Sequence, residues 1–95
     1  MKTIYKYPLQ LAGIQTINMQ LDERHYLSSI LRVDVQNGGP YLWAMVDTDA
    51  PFVPVKIYTV GTGKENPGCS RLYYAGTYQL LGGAIVHHVF AYISE

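Results

Sequence analysis

Gly61-Thr-Gly-Lys64 opens the stretch that decides the fold class. After a polar loop come Tyr73-Tyr-Ala-Gly-Thr77 and then Gly82-Gly-Ala-Ile-Val-His-His-Val-Phe90. Two runs of β-branched and aromatic residues are separated by glycine-rich punctuation, which is the pattern of strands joined by turns. Arg71 to Gln79 and Ala84 to Ile93 read as a final hairpin around Leu80-Leu-Gly-Gly83.

The same grammar extends toward the N-terminus. Leu31, Val33 and Val35 alternate with Arg32, Asp34 and Gln36, a period of two that predicts a half-buried strand. Asn37-Gly38 follows, a pair in which both residues tolerate positive φ and therefore close tight hairpins. The return strand is Tyr41 to Asp47, with Leu42, Ala44 and Val46 on one face and Tyr41, Trp43 and Met45 on the other. Apolar residues on both faces imply cover on both sides, or one face lying in an interface or pocket. Lys2 to Tyr7, closed by Pro8, reads as a first strand, and Ile17, Met19 and Leu21 mark a second. Asp22 to His25 reads as a loop or one helical turn. Val55, Ile57 and Thr59 alternate with Lys56, Tyr58 and Val60 after Pro51 and Pro54, and Gly61 to Ser70 reads as a long loop. The expectation is an all-β protein of six to seven strands, an antiparallel sandwich or small barrel.

A length of 95 residues implies a single domain spanning 1–95 with one modest core. A small β-protein gains burial by pairing with copies of itself, so a homo-oligomer is expected. Seven basic residues balance seven acidic ones without a basic run, which argues against duplex nucleic acid as a partner. A small anion needs only one or two well-placed cations. Cys69 is the only cysteine, so no intramolecular disulfide forms. No apolar run reaches the ~18–20 residues of a membrane span, and the N-terminus lacks a signal-peptide core. The expected location is the cytoplasm.

Chemistry-bearing patterns are few. Gly61-Thr-Gly-Lys64 invites a phosphate-loop reading, but Tyr58 stands where a Walker loop needs glycine and Glu65 where it needs Ser or Thr. The dinucleotide fingerprint fails because Asn66 occupies its third glycine position. What survives is an ordinary loop, or a lid whose amides converge on an anion beside Lys64. His87 and His88 are adjacent on a strand and must point to opposite faces, so they do not form a metal pair. His25 and Cys69 lack zinc spacing, and no metal or cofactor is expected. Asp22-Glu23 reads as solvated loop, and Asp47 and Asp49 as turn-forming side chains. No nucleophile, base or acid constellation is visible, so no enzymatic activity is expected.

Aromatic content is the positive signal. Nine tyrosines and one tryptophan exceed the needs of a small core. Tyrosine joins an apolar ring to a polar tip and favours binding surfaces. Tyr41, Trp43, Tyr58, Tyr73, Tyr74 and Tyr78 are the surface or pocket candidates, beside ordinary cross-strand packing.

Met1-Lys-Thr-Ile-Tyr-Lys-Tyr7, Val33-Asp-Val-Gln-Asn-Gly38, Leu42-Trp-Ala-Met-Val-Asp47, Gly61-Thr-Gly63, Gly76-Thr77 and Gly82 to Phe90 together resemble a family of small phage and prophage proteins. That family is known chiefly as a domain of unknown function. The resemblance spans nearly the whole chain and implies a complete gene product. Asp22 to Ser29 is longer than the family's short turn, and Ala91 to Glu95 extends past its usual Val-Phe end. The resemblance implies a phage gene expressed in a host bacterial cytoplasm, with no catalytic residue to carry over.

Orphan phage proteins often antagonise host defence, and some act as sponges that sequester nucleotide signals without cleaving them. The expectation is therefore a non-enzymatic binding protein holding a nucleotide-derived ligand at a subunit interface. Trp43 with Tyr41, Tyr73 or Tyr74 would stack on the base. Arg71, Lys64 or Lys56 would meet phosphates, Gly61, Thr62 and Gly63 would close over them, and His88 would add a polar contact. The alternatives are a protein–protein inhibitor of a host enzyme and a structural or accessory phage protein.

Overall fold

A computed structural model describes residues 1–11, 13–22, 26–65 and 72–93. Seven strands follow in order: β1 (Lys2–Pro8), β2 (Gly13–Met19), β3 (Ile30–Gln36), β4 (Gly39–Asp47), β5 (Val53–Gly61), β6 (Tyr73–Leu80) and β7 (Ile85–Ile93). All pairings are antiparallel. They form a three-stranded sheet, β1-β4-β3, and a four-stranded sheet, β2-β5-β7-β6. The fold is an all-β sandwich.

The expected alternation places the core. Leu42, Ala44 and Val46 of β4 face Val55 and Ile57 of β5 across the sandwich, all at most 1% exposed. Met19, Leu21, Val89 and Ala91, with Leu9, Ile30, Val33 and Tyr78, also belong to the buried core. Each fully buried aliphatic side chain contributes about 1.5–3 kcal/mol. Asn37 and Gly38 turn β3 into β4 with φ of 53° and 81°, as the Asn-Gly pair predicts.

Three details depart from simple alternation. A bulge between Ile30 and Arg32 seats Ile30 against Ala44 in the core, and Leu31, expected beside Val33, is half exposed. Leu21, read as part of the second strand, lies beyond the end of β2 yet is buried. A single turn of 3-10 helix spans Tyr26–Ser29, and another spans Leu81–Gly83 at the final hairpin. Of the expected loop or turn at Asp22 to His25, residues 23–25 lie outside the described residues.

The sheets approach most closely where β3 meets β6. A second bulge, between Tyr74 and Gly76, shifts the β6–β7 register there. A Cβ on Gly76 would lie 2.8 Å from Val33 Cβ and 3.4 Å from the Val33 backbone nitrogen. Only glycine admits this approach. Among the described residues no helix is long and apolar enough to cross a membrane.

Candidate functional site

The outward faces of the two sheets are chemically distinct. On the three-stranded sheet, Trp43 of β4 stands in register between Lys6 of β1 and Arg32 of β3. The Lys6 ammonium lies 4.7 Å from the Tyr41 ring centre and donates to Gln36 Oε1 at 2.8 Å. Arg32 pairs with Asp34. Both cations nearest Trp43 are therefore already engaged. The Asp34 carboxyl sits below the usual carboxylate range because the Val35 N–H and then the Arg32 guanidinium bond its charged form.

On the four-stranded sheet the register aligns Ile14, Tyr58, Phe90 and Tyr74 across all four strands. The Tyr74 and Phe90 ring centres are 5.7 Å apart in an edge-to-face arrangement. One row along, toward the Gly61 end, stand Val60, His88 and Thr77. One row the other way stand Thr16, Lys56 and Tyr92.

The aromatic row runs toward a junction at Gly61, the last residue of β5. Two open depressions of about 280 Å³ each flank it. The first is lined by Ile14, Tyr58, Val60, Lys64 and Glu65. The second is lined by Thr62, Ala84, Ile85, Val86 and His87. Gly61 belongs to both because the space above its Cα is shared. A Cβ there would lie 3.4 Å from Lys64 Cγ and 3.7 Å from His87 Cδ2. The loop is tied down by Lys64 N–H donating to Gly61 O at 3.0 Å and Thr62 N–H to Val86 O at 3.2 Å.

Hydrogen-bond chains tie this end of the sheet together. Tyr74 Oη meets Thr77 Oγ1, and Thr77 Oγ1 lies 3.0 Å from His88 Nδ1. His88 Nε2 lies 2.7 Å from Thr62 Oγ1, which lies 3.4 Å from Val86 O. On the opposite face of β7, His87 Nδ1 lies 2.8 Å from Tyr78 Oη. Tyr78 also donates to Leu11 O at 3.2 Å, and burial raises its phenol pKa.

The anticipated residues thus divide into two groups. Lys56, Thr62, Tyr74 and His88 lie on the outer face of the four-stranded sheet, whereas Gly61 pairs with His87 on the opposite face, where a Cβ would touch Lys64 Cγ, and Gly63 lies in the loop between Gly61 and Lys64. Tyr41 and Trp43 lie on the outer face of the other sheet, across the core, so one chain cannot stack both groups on one base. Tyr73 pairs with Ala91 and points to the side of β6 opposite Tyr74, because neighbouring strand residues alternate. Tyr78, anticipated on a surface or in a pocket, is 2% exposed and belongs to the core. Arg71, Cys69 and His25 lie outside the described residues.

Phe90, Thr77 and Ile14 also belong to this face. The alternation of His88, Phe90 and Tyr92 in sequence signals it, but only the β5–β7 register sets them beside Tyr58. Among the described residues, no group of three or more His, Cys, Asp or Glu side chains is placed to hold a metal ion.

The chain matches the family described as Domain of unknown function (DUF7352) over residues 1–95. It belongs to that family. The match runs through Asp22 to Ser29 and Ala91 to Glu95, so both segments fall within the family's span. No curated protein and no solved structure matches the chain.

Proposed function

We propose that this protein is a non-enzymatic binding protein that holds a small nucleotide-type ligand at the Gly61 junction. The carrying observation is the convergence of a Tyr58-lined depression, the Lys64 side chain and the side-chain-free Gly61 at one end of an aromatic face. A ring platform is sequence-tolerant for bases, since every base has a π-face. An ammonium beside it suits a phosphate. The Gly61 to Gly63 segment lets backbone approach the ligand closely, and Gly63 adopts a φ of 83° that glycine takes without strain.

The resemblance to phage proteins supports a setting for this activity. In that setting the protein sequesters a nucleotide-derived signal of host defence in the infected cell, without turning it over. A second reading is favoured by the openness of both depressions and the breadth of the aromatic row. In it, the same face docks on a host protein, with Tyr58, Phe90 and Tyr74 as anchors.

A thermal-shift screen of the full chain against AMP, cyclic dinucleotides and ADP-ribose derivatives tests the proposal. A stabilising ligand recovered chemically intact is the expected result. Absence of any shift, together with stoichiometric capture of one host protein, replaces it with the second reading. Conversion of the ligand overturns the non-enzymatic assignment.

A further inference from the structure

His88 is the imidazole that alternation places on the aromatic face, yet both of its ring nitrogens are engaged within the protein. His87 differs, and counting hydrogens shows how. Leu11 O is a carbonyl and can only accept, so the single hydroxyl hydrogen of Tyr78 is directed to it. The 2.8 Å contact between Tyr78 Oη and His87 Nδ1 therefore needs its hydrogen from the imidazole. In the neutral ring that places the proton on Nδ1 and leaves a lone pair on Nε2.

For His88 the count fixes no tautomer. Val86 O already accepts the Thr62 N–H at 3.2 Å, and the Thr62 hydroxyl is 3.4 Å from it but 2.7 Å from His88 Nε2, so the Tyr74–Thr77–His88–Thr62 chain balances with its hydrogens running in either direction.

His87 Nε2 has no hydrogen-bond partner among the described residues. It lies 4.0 Å from where a Gly61 Cβ would stand, and its ring lines the open depression shared by Thr62, Ala84, Ile85 and Val86. The Tyr78 bond and an edge-to-face contact with the Tyr78 ring, 5.3 Å between centres, hold the imidazole in place. A fixed acceptor beside an open depression of mixed polar and apolar lining suits a flat ring bearing an N–H donor.

We propose that this depression is a nucleobase subsite in which His87 Nε2 accepts a hydrogen bond from an exocyclic amino group. The inference rests on the reading of the Gly61 junction as a nucleotide site, and it names the part of the ligand recognised there. It moves the base from the Tyr58 platform to the second depression, and the ligand-facing histidine from His88 to His87.

The test uses full-length protein labelled with 15N-histidine. Two-bond 1H–15N spectra of the free protein assign each tautomer. His87 is expected as the Nδ1–H form, and an Nε2–H form at His87 overturns the proposal. Adenosine, cytidine and guanosine are then titrated, with N6,N6-dimethyladenosine as the analogue lacking amino hydrogens. Adenosine is expected to move the His87 Nε2 resonance, and the dimethyl analogue to bind about tenfold more weakly. His87→Asn keeps a donor near the Nδ1 position for Tyr78 and removes the Nε2 acceptor, so it should fold and erase the difference between the two adenosines. Equal binding of both adenosines by the wild type overturns this inference while AMP binding upholds the nucleotide reading. Failure of all nucleosides and of AMP overturns both. Should His87→Asn not fold, the tautomer and analogue measurements on the wild type still decide.

Discussion

Gly76 and Val33 are packed so closely that a β-carbon on the glycine would sit 2.8 Å from the β-carbon of the valine. The contact joins β6 of one sheet to β3 of the other, beside the Tyr74–Gly76 bulge and on the strand that carries the Ile30–Arg32 bulge. Gly76→Ala should therefore overpack the seam and destabilise the fold by about 1–3 kcal/mol. The clashing atom is a Cβ, which cannot swing away, so Val33→Ala gives no relief. A Val33→Gly background should shrink the cost of Gly76→Ala. Urea unfolding of the four proteins in this cycle measures the coupling, and strict additivity would show that the seam is not the cause.

Tyr78 is buried and its hydroxyl is shared between Leu11 O and His87 Nδ1. Tyr78→Phe leaves both partners without this bond and should cost about 1–3 kcal/mol. In a domain of this size that lowers Tm by about 4–8 °C per kcal/mol. The pH dependence has a defined sign. Burial raises the folded-state pKa of Tyr78 above its ordinary value of 10.0. The stability linked to its neutral form is complete below that value and is lost as pH rises toward the raised folded one. Tyr7 adds a loss of the same sign. The deficit of Tyr78→Phe relative to wild type should thus narrow above about pH 10, and a constant deficit would contradict the assignment.

Asp34 shows the reverse linkage. The Val35 N–H and then Arg32 lower its folded-state pKa below the ordinary 3.8. Its contribution is present above that value and is lost as pH falls through the lower folded one. Asp34→Asn should flatten the acid limb of the stability profile, measured as urea midpoints between about pH 2 and 6. The change should be small, because the group is on the surface. Identical acid limbs in the two proteins would argue against the effect.

The single tryptophan lies on the sheet opposite the proposed site, which makes it a control. Ligand binding at the Gly61 junction should leave Trp43 emission unchanged. Lys64→Ala should weaken AMP binding by roughly 10- to 100-fold, in line with about 1–3 kcal/mol for a charged hydrogen bond. Trp43→Ala should bind as wild type. Strong Trp43 quenching on addition of AMP would move the site to the three-stranded sheet.

The strands were legible wherever the period of two was clean. Leu42, Ala44 and Val46 announce their burial in sequence, and Asn37-Gly38 announces its turn. Leu31 misled the reading because a bulge adds a residue without disturbing local composition. Only the pairing of Ile30 with Ala44 reveals which of the two neighbours enters the core.

Gly61-Thr-Gly-Lys64 and His87-His88 drew attention in sequence for motifs they do not complete. By itself the chain determined that Gly61 carries no side chain, that the two histidines face opposite sides of a strand, and that the rings exceed what a core needs. These properties follow from local stereochemistry and composition. The tertiary structure alone decided that Tyr58, Phe90 and Tyr74 form one row while Trp43 lies across the core from them. It alone decided that, among the described residues, His87 Nε2 has no hydrogen-bond partner while both nitrogens of His88 have one. Strand register and the side-chain hydrogen bonds it permits set these outcomes, and both bring together residues far apart in sequence.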